Sequence, residues 1–214
     1  MPYDAVLFDF DGVLVEMPSS KTMYDAVCRT YEKLGRSRPS EETVRRLVSG
    51  NFDAIADQCR KLGVDANRFC TQAGREMIRA QREEVERGVR SVYDDVAAVR
   101  TLERPLGIVS DNHPTVVSML TERFGVRSLF ETVHGCPLTP DGLERRKPNA
   151  GNIEAAMDEL GAETALYVGD RSIDVEAAHN AGIDSAFLSR DGDEPDVAPT
   201  YRLTSLSQLS SIVE

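Results

Sequence analysis

Five short apolar runs, each bounded by polar or turn residues, constrain this chain more than any other feature. They are Ala5–Phe10, Leu106–Ser110, Thr132–Gly135, Ala165–Gly169 and Ser185–Ser189, and their lengths suit β-strands. Helical periodicity follows several of them. Pro114–Phe124 sets Val116, Val117, Leu120 and Phe124 on one face and stops at Gly125; Asn152–Leu160 and Ile173–Ala181 behave alike. Strands alternating with helices fold as a parallel sheet covered on both faces, an α/β architecture. Ligands of such sheets bind beyond the carboxyl ends of the strands. Three runs end there on a reactive side chain, at Asp9, Ser110 and Asp170.

From about Pro18 to Gly88 the alternation stops. Lys21–Leu34, Ser40–Ser49, Phe52–Leu62 and Ala66–Arg87 all carry helical periodicity, with no convincing strand among them. A helical insert standing over the sheet edge as a cap accounts for this; a helical extension packed elsewhere is the alternative. The expected division is an α/β core domain of residues 1–16 and 89–214 and a helical cap domain of residues 17–88, inserted after the first strand. Ser205–Val213 reads as a short closing helix.

Composition narrows the function. The 25 basic residues face 36 acidic ones, a net charge of −11, and a chain that neutralises nucleic-acid phosphates usually carries a basic face. No nucleic-acid partner is expected. No apolar stretch reaches the about 18 residues of a membrane span, and the first residues carry no basic leader, so neither a membrane partner nor a signal peptide is expected. The four cysteines have no metal-ligand spacing, which reads as reduced thiols in a cytoplasmic protein.

Four pieces carry chemistry. Asp9-Phe10-Asp11-Gly12 places two carboxylates at a strand end, and like charges so close require a compensating cation such as Mg2+. Gly169-Asp170-Arg171-Ser172-Ile173-Asp174 adds Asp170 at the same sheet edge, with Asp174 one helical turn on. Ser110-Asp111-Asn112-His113-Pro114 joins a strand-end hydroxyl to a helix N-terminus, a site suited to an oxyanion. Lys147 is one of only four lysines, and it precedes a helix where it offers a point charge to phosphate and carboxylates. Each piece alone has a bland reading as a turn, a cap or a solvated charge.

Together the four resemble the motifs of the haloacid dehalogenase superfamily, in its phosphoglycolate phosphatase-like branch with a type-1 helical cap. Asp9-Phe10-Asp11-Gly12-Val13 is similar to the first motif and Ile108-Val109-Ser110 to the second. Lys147 is similar to the third motif and Gly169–Asp174 to the fourth. The resemblance implies a Rossmann-like core with strand order 5-4-1-2-3. It implies Asp9 as nucleophile, Asp11 as general acid and base, Ser110 and Lys147 as phosphoryl ligands, and Mg2+ held by Asp9, the main-chain carbonyl of Asp11, and Asp170, with Asp174 assisting. Asp111 stands where many relatives carry Asn, so its carboxylate is expected to turn from the phosphate while its N–H serves it.

The implied reaction is Mg2+-dependent hydrolysis of a small phosphorylated metabolite through an aspartyl-phosphate. A phosphomutase of the β-phosphoglucomutase kind keeps the same motifs and stays open. Phosphonate cleavage would need a cap lysine such as Lys21. Carbon–halogen cleavage is disfavoured by the acid at Asp11, and a non-catalytic binding or regulatory module by the presence of Asp9, Asp11, Lys147 and Asp170 together. Lys21, Asn51 and Arg75 are cap side chains that could read the leaving group, though a solvated face explains them as well. His113 is a further candidate pocket residue.

Overall fold

The structure, a computed structural model, describes residues 3–49 and 52–213; Asn51 lies outside the described residues. Along the chain, β1 (Ala5–Phe8) precedes α1 (Ser20–Lys33), α2 (Glu41–Ser49), α3 (Phe52–Leu62), α4 (Ala66–Glu86) and the single turn α5 (Val96–Val99). The alternation resumes with β2 (Leu106–Val109), α6 (Pro114–Arg123), β3 (Thr132–His134), α7 (Pro140–Glu144) and α8 (Gly151–Leu160). Then come β4 (Ala165–Gly169), α9 (Ser172–Asn180), β5 (Asp184–Leu188), β6 (Tyr201–Leu203) and α10 (Ser210–Val213).

The six strands form one parallel sheet in the order β3-β2-β1-β4-β5-β6. This is the expected order 5-4-1-2-3 read from the opposite edge, with β6 added beyond β5. β6 escaped the sequence reading because it has three residues, one of them the exposed Arg202, too few to show a period. β1, β2 and β4 are buried at every position, as strands covered on both faces must be. Register fixes the site. Phe8 lies opposite both Ile108 and Val168, so the chain leaves the sheet at neighbouring points at Asp9, Ser110 and Asp170.

Two compact units divide the chain. One comprises Met1–Glu16, Ser91–Gly135 and Arg145–Glu214, the other Met17–Arg90 and Cys136–Glu144. In the first, Ala5, Leu7, Val109 and Tyr167 of the sheet pack with Ile153 and Ala156 of α8 and Ala177 and Ala178 of α9. In the helical unit, Val27, Tyr31, Val44, Ile55 and Phe69 share one buried cluster, and Tyr31 meets Phe69 edge to face at 6.1 Å. Ser19 caps α1 by accepting from Thr22 N–H at 3.1 Å, and Asp65 caps α4 by accepting from Arg68 N–H at 2.9 Å.

Two expectations change. The segment Cys136–Glu144 packs with the helices, where Leu143 is buried beside Val27 and Phe69, although the sequence division put it with the sheet. Leu138 and Leu143 are its only large apolar side chains, too sparse to mark a helix face. The closing helix Ser205–Val213 is instead a 3-10 turn, Leu206–Gln208, followed by α10. Serine hydroxyls compete for the backbone there: Ser205 Oγ accepts from Ser207 N–H at 3.2 Å. No described helix is long and apolar enough to cross a membrane.

Candidate active site

Two glycines shape the sheet edge. Asp9 N–H still donates to Val168 O, at 2.8 Å, after which the chain reverses and Gly12 N–H donates to Val15 O at 2.7 Å. Gly12 has φ of +85°, and a Cβ there would overlap the Asp170 carboxylate; only glycine meets both conditions. On β4, a Cβ at Gly169 would overlap the Asp174 side chain. The bare backbone lets the first turn of α9 bring Asp174 back against the strand. Asp174 Oδ2 accepts from Arg171 N–H at 2.9 Å, satisfying one free donor of the helix start.

Asp9, Asp170 and Asp174 converge, each offering an oxygen within 4.8 Å of the others. Lys147 Nζ enters this cluster, 2.9 Å from Asp9 Oδ1 and 2.6 Å from Asp174 Oδ1. It also donates to Tyr167 Oη at 3.0 Å, and Tyr167 Oη donates in turn to Val109 O at 2.7 Å. Asp9 Oδ1 accepts a further bond from Phe10 N–H at 2.7 Å. Asp9, Lys147 and Asp174 are all buried.

Burial dominates the electrostatics. It pushes Asp9 up to about 8, with Asp174 and Asp170 adding to the rise and Lys147 and Arg171 opposing it. Asp170 rises to about 6, through burial and then Asp174. Burial works against the charge of Lys147, yet Asp174 and Asp9 outweigh it and hold the ammonium well above its ordinary value.

The second-motif turn has a different geometry. Ser110 N–H donates to His134 O at 2.9 Å, while Ser110 Oγ accepts from Asn112 N–H at 3.1 Å. Asn112 Nδ2 donates to Asp11 Oδ2 at 2.8 Å, which orients the second carboxylate of the first motif. The Asp111 carboxylate turns to the lysine loop: Oδ1 accepts from Lys147 N–H at 3.1 Å and Oδ2 lies 3.5 Å from Arg171 Nη2. His113, a candidate pocket residue, caps α6 by accepting from Thr115 N–H at its Nδ1, at 3.2 Å.

Four residues of this site were not singled out from the sequence. Asn112 was read only as a turn residue. Tyr167 sits inside the apolar run Ala165–Gly169, where its hydroxyl was the only signal. Arg171 lies within the fourth motif and approaches Asp9 Oδ2 at 4.0 Å. Arg190 follows β5 and donates to Gly12 O at 3.1 Å and Val13 O at 2.7 Å, so it grips the turn that carries Asp11. It pairs with Asp95 at 3.0 Å and stacks its guanidinium 3.7 Å from the Tyr93 ring centroid.

A model of the haloacid dehalogenase-like hydrolase family matches residues 6–188, which include Asp9, Asp11, Ser110, Lys147, Asp170 and Asp174. The chain belongs to this family. It is 24% identical to pyrophosphatase PpaX of Halalkalibacterium halodurans, across all of this chain and 98% of that protein. It is 29% identical to a phosphoglycolate phosphatase of Rhodospirillum rubrum, across 97% of this chain and 88% of the relative. Among solved structures, CbbY of Rhodobacter sphaeroides, in complex with phosphate, superimposes with a TM-score of 0.74 at 18% identity, covering 97% and 96% of the two chains. At that identity the likeness speaks for the fold.

Proposed function

We propose that this hydrolase is a Mg2+-dependent phosphatase that cleaves a small phosphate monoester through an aspartyl-phosphate on Asp9. One observation carries the reading. A buried carboxylate at a strand end, Asp9, is clustered with two more within 4.8 Å and paired to a buried lysine at 2.9 Å. The phosphatase names of full-length relatives support it.

The donor set fits Mg2+. Asp170 Oδ1 is buried without a hydrogen-bond partner, an arrangement that is costly unless a cation supplies what is missing. Asp9, Asp170 and the main-chain carbonyl of Asp11 would hold the ion, all hard oxygen ligands. When bound, Mg2+ neutralises charge on the phosphoryl oxygens and on the carboxylates around them.

The chain's own residues do the rest. An Asp9 carboxylate oxygen attacks phosphorus, and the bond from phosphorus to the ester oxygen breaks. Asp11, steered by Asn112 Nδ2 at 2.8 Å, gives its proton to the departing oxygen. As a carboxylate it then takes a proton from the water that attacks the aspartyl-phosphate. Phosphate leaves and Asp9 is restored. Ser110 Oγ and the backbone N–H of Asp111 receive phosphoryl oxygens. The helical unit inserted between β1 and β2 is read as the cap of the family, and the four unpaired cysteines support a reducing, cytoplasmic setting.

The test is phosphate release from p-nitrophenyl phosphate and a panel of small esters, with Mg2+ or EDTA, beside Asp9→Asn. The panel includes pyrophosphate, phosphoglycolate and hexose phosphates. Release that needs both Mg2+ and Asp9 is expected. Relocation of the phosphoryl group on a hexose phosphate without net release would identify a mutase.

A further inference from the structure

Two cations border the Asp9 carboxylate. Lys147 Nζ, its side chain 3% exposed, pairs with Asp9 Oδ1 and Asp174 Oδ1 at 2.9 and 2.6 Å and donates to Tyr167 Oη at 3.0 Å. All three contacts lie inside the buried cluster.

Arg171 faces the same two acids, with Nε 4.0 Å from Asp174 Oδ2, but differs in exposure and in hydrogen bonding. Its guanidinium donates no hydrogen bond to a described residue and its side chain is 43% exposed. Nη2 lies 3.5 Å from Asp111 Oδ2 and 4.0 Å from Asp9 Oδ2, distances of charge pairing alone. A planar fork with free donors, beside the oxygen of the nucleophilic carboxylate, matches the geometry of a phosphoryl group.

We infer that Arg171 is a second phosphoryl-binding cation of the reaction, beside Lys147, and that Asp111 positions it. The inference rests on the phosphatase reading above. It also accounts for the acid at position 111. One Asp111 oxygen accepts from Lys147 N–H at 3.1 Å while the other faces Arg171, so one carboxylate ties the lysine loop to the arginine. An asparagine could accept from Lys147 N–H but would carry no charge for Arg171.

That difference makes the test. Inorganic phosphate binding by calorimetry, in Mg2+, and kcat/KM on the best ester are measured for wild type, Arg171→Gln, Arg171→Lys, Asp111→Asn and the Arg171→Gln/Asp111→Asn double variant. Arg171→Gln is expected to weaken phosphate binding about 10-fold or more and to lower kcat/KM by about 10- to 100-fold, the range of a lost charge-assisted bond. Arg171→Lys is expected to recover part of that loss, because the charge returns without the fork. Asp111→Asn is expected to lower kcat/KM less, and to have no further effect once Arg171 is Gln. Phosphate affinity within twofold of wild type in Arg171→Gln would overturn the assignment. So would an equal effect of Asp111→Asn in the presence and absence of Arg171. If wild type cleaves no ester, the phosphatase reading fails, and phosphate binding still reports on Arg171 by itself.

Discussion

Lys147 Nζ lies 2.6 Å from Asp174 Oδ1, with 3% and 1% of the two side chains exposed. The last acid of the fourth motif is thus the counter-ion of the third-motif lysine as well as a neighbour of Asp9 and Asp170. Removing the ammonium leaves Asp9 and Asp174 buried without their cation. Breaking such a pair from one side costs about 3–5 kcal/mol. Lys147→Met is expected to lose that much stability in urea titrations of the metal-free protein, and to lose turnover. A loss under about 1 kcal/mol would contradict this account of the pair.

Tyr167 links two strands at the level of the site, accepting from Lys147 and donating to Val109 O at 2.7 Å. Tyr167→Phe removes the bond to Val109 O and an acceptor of the Lys147 ammonium, an expected cost of about 1–3 kcal/mol. Lys147 is then held by Asp9 and Asp174 alone. The expected kinetic signature is a fall in kcat with KM nearly unchanged, since the substrate contacts remain. A rise in KM alone would place Tyr167 elsewhere in the reaction.

Arg190 fastens the turn after Asp9 by bonds to Gly12 O and Val13 O at 3.1 and 2.7 Å, with Asp95 and Tyr93 holding it in turn. Lysine can reproduce the charge but not the fork. Arg190→Lys is expected to lose about 2–3 kcal/mol in thermal or urea unfolding, of the order of two charge-assisted hydrogen bonds. Mg2+ affinity should weaken with it, because the carbonyl of Asp11 lies in the same turn.

Much of this was legible from residue order, and the limits have physical causes. An apolar run that stops on an acid reports a strand end directly, so Asp9 and Asp170 could be placed on one sheet edge before any coordinates. Periodicity needs length, so β6 with three residues and α7 with five went unread. Tyr167 and Arg190 were hidden differently: their contacts lie 20 and 177–178 residues away in sequence, and no local pattern announces them. Asp111 was noticed as a departure, but its partner Arg171 emerges only when β2 and β4 flank β1.

The pH behaviour follows from two carboxylates raised by burial. Asp9 stands at about 8 and Asp170 at about 6 in the metal-free protein. A carboxyl whose value is raised on folding binds its proton more tightly in the folded state. Its contribution to stability is complete below the ordinary carboxylate range and is lost as pH rises through the folded value. Metal-free protein is therefore expected to lose stability as pH rises from the ordinary carboxylate value of 3.8 to about 8, most steeply below about 6 where both groups contribute. Saturating Mg2+ displaces those protons, so it should flatten this decline, and Mg2+ affinity should rise with pH over the same interval. Denaturant midpoints across that range, with Mg2+ and with EDTA, check both statements. A stability that climbs through the window without metal would contradict them.

The central claim is that phosphorus becomes bonded to Asp9. The most direct measurement is rapid quenching during turnover with Mg2+, borohydride reduction, and peptide mass spectrometry. An aspartyl-phosphate is reduced to homoserine, and the account predicts homoserine at position 9, dependent on substrate and Mg2+, with none at Asp11. Unmodified Asp9 in enzyme quenched during active turnover, or homoserine at another acid, would contradict it.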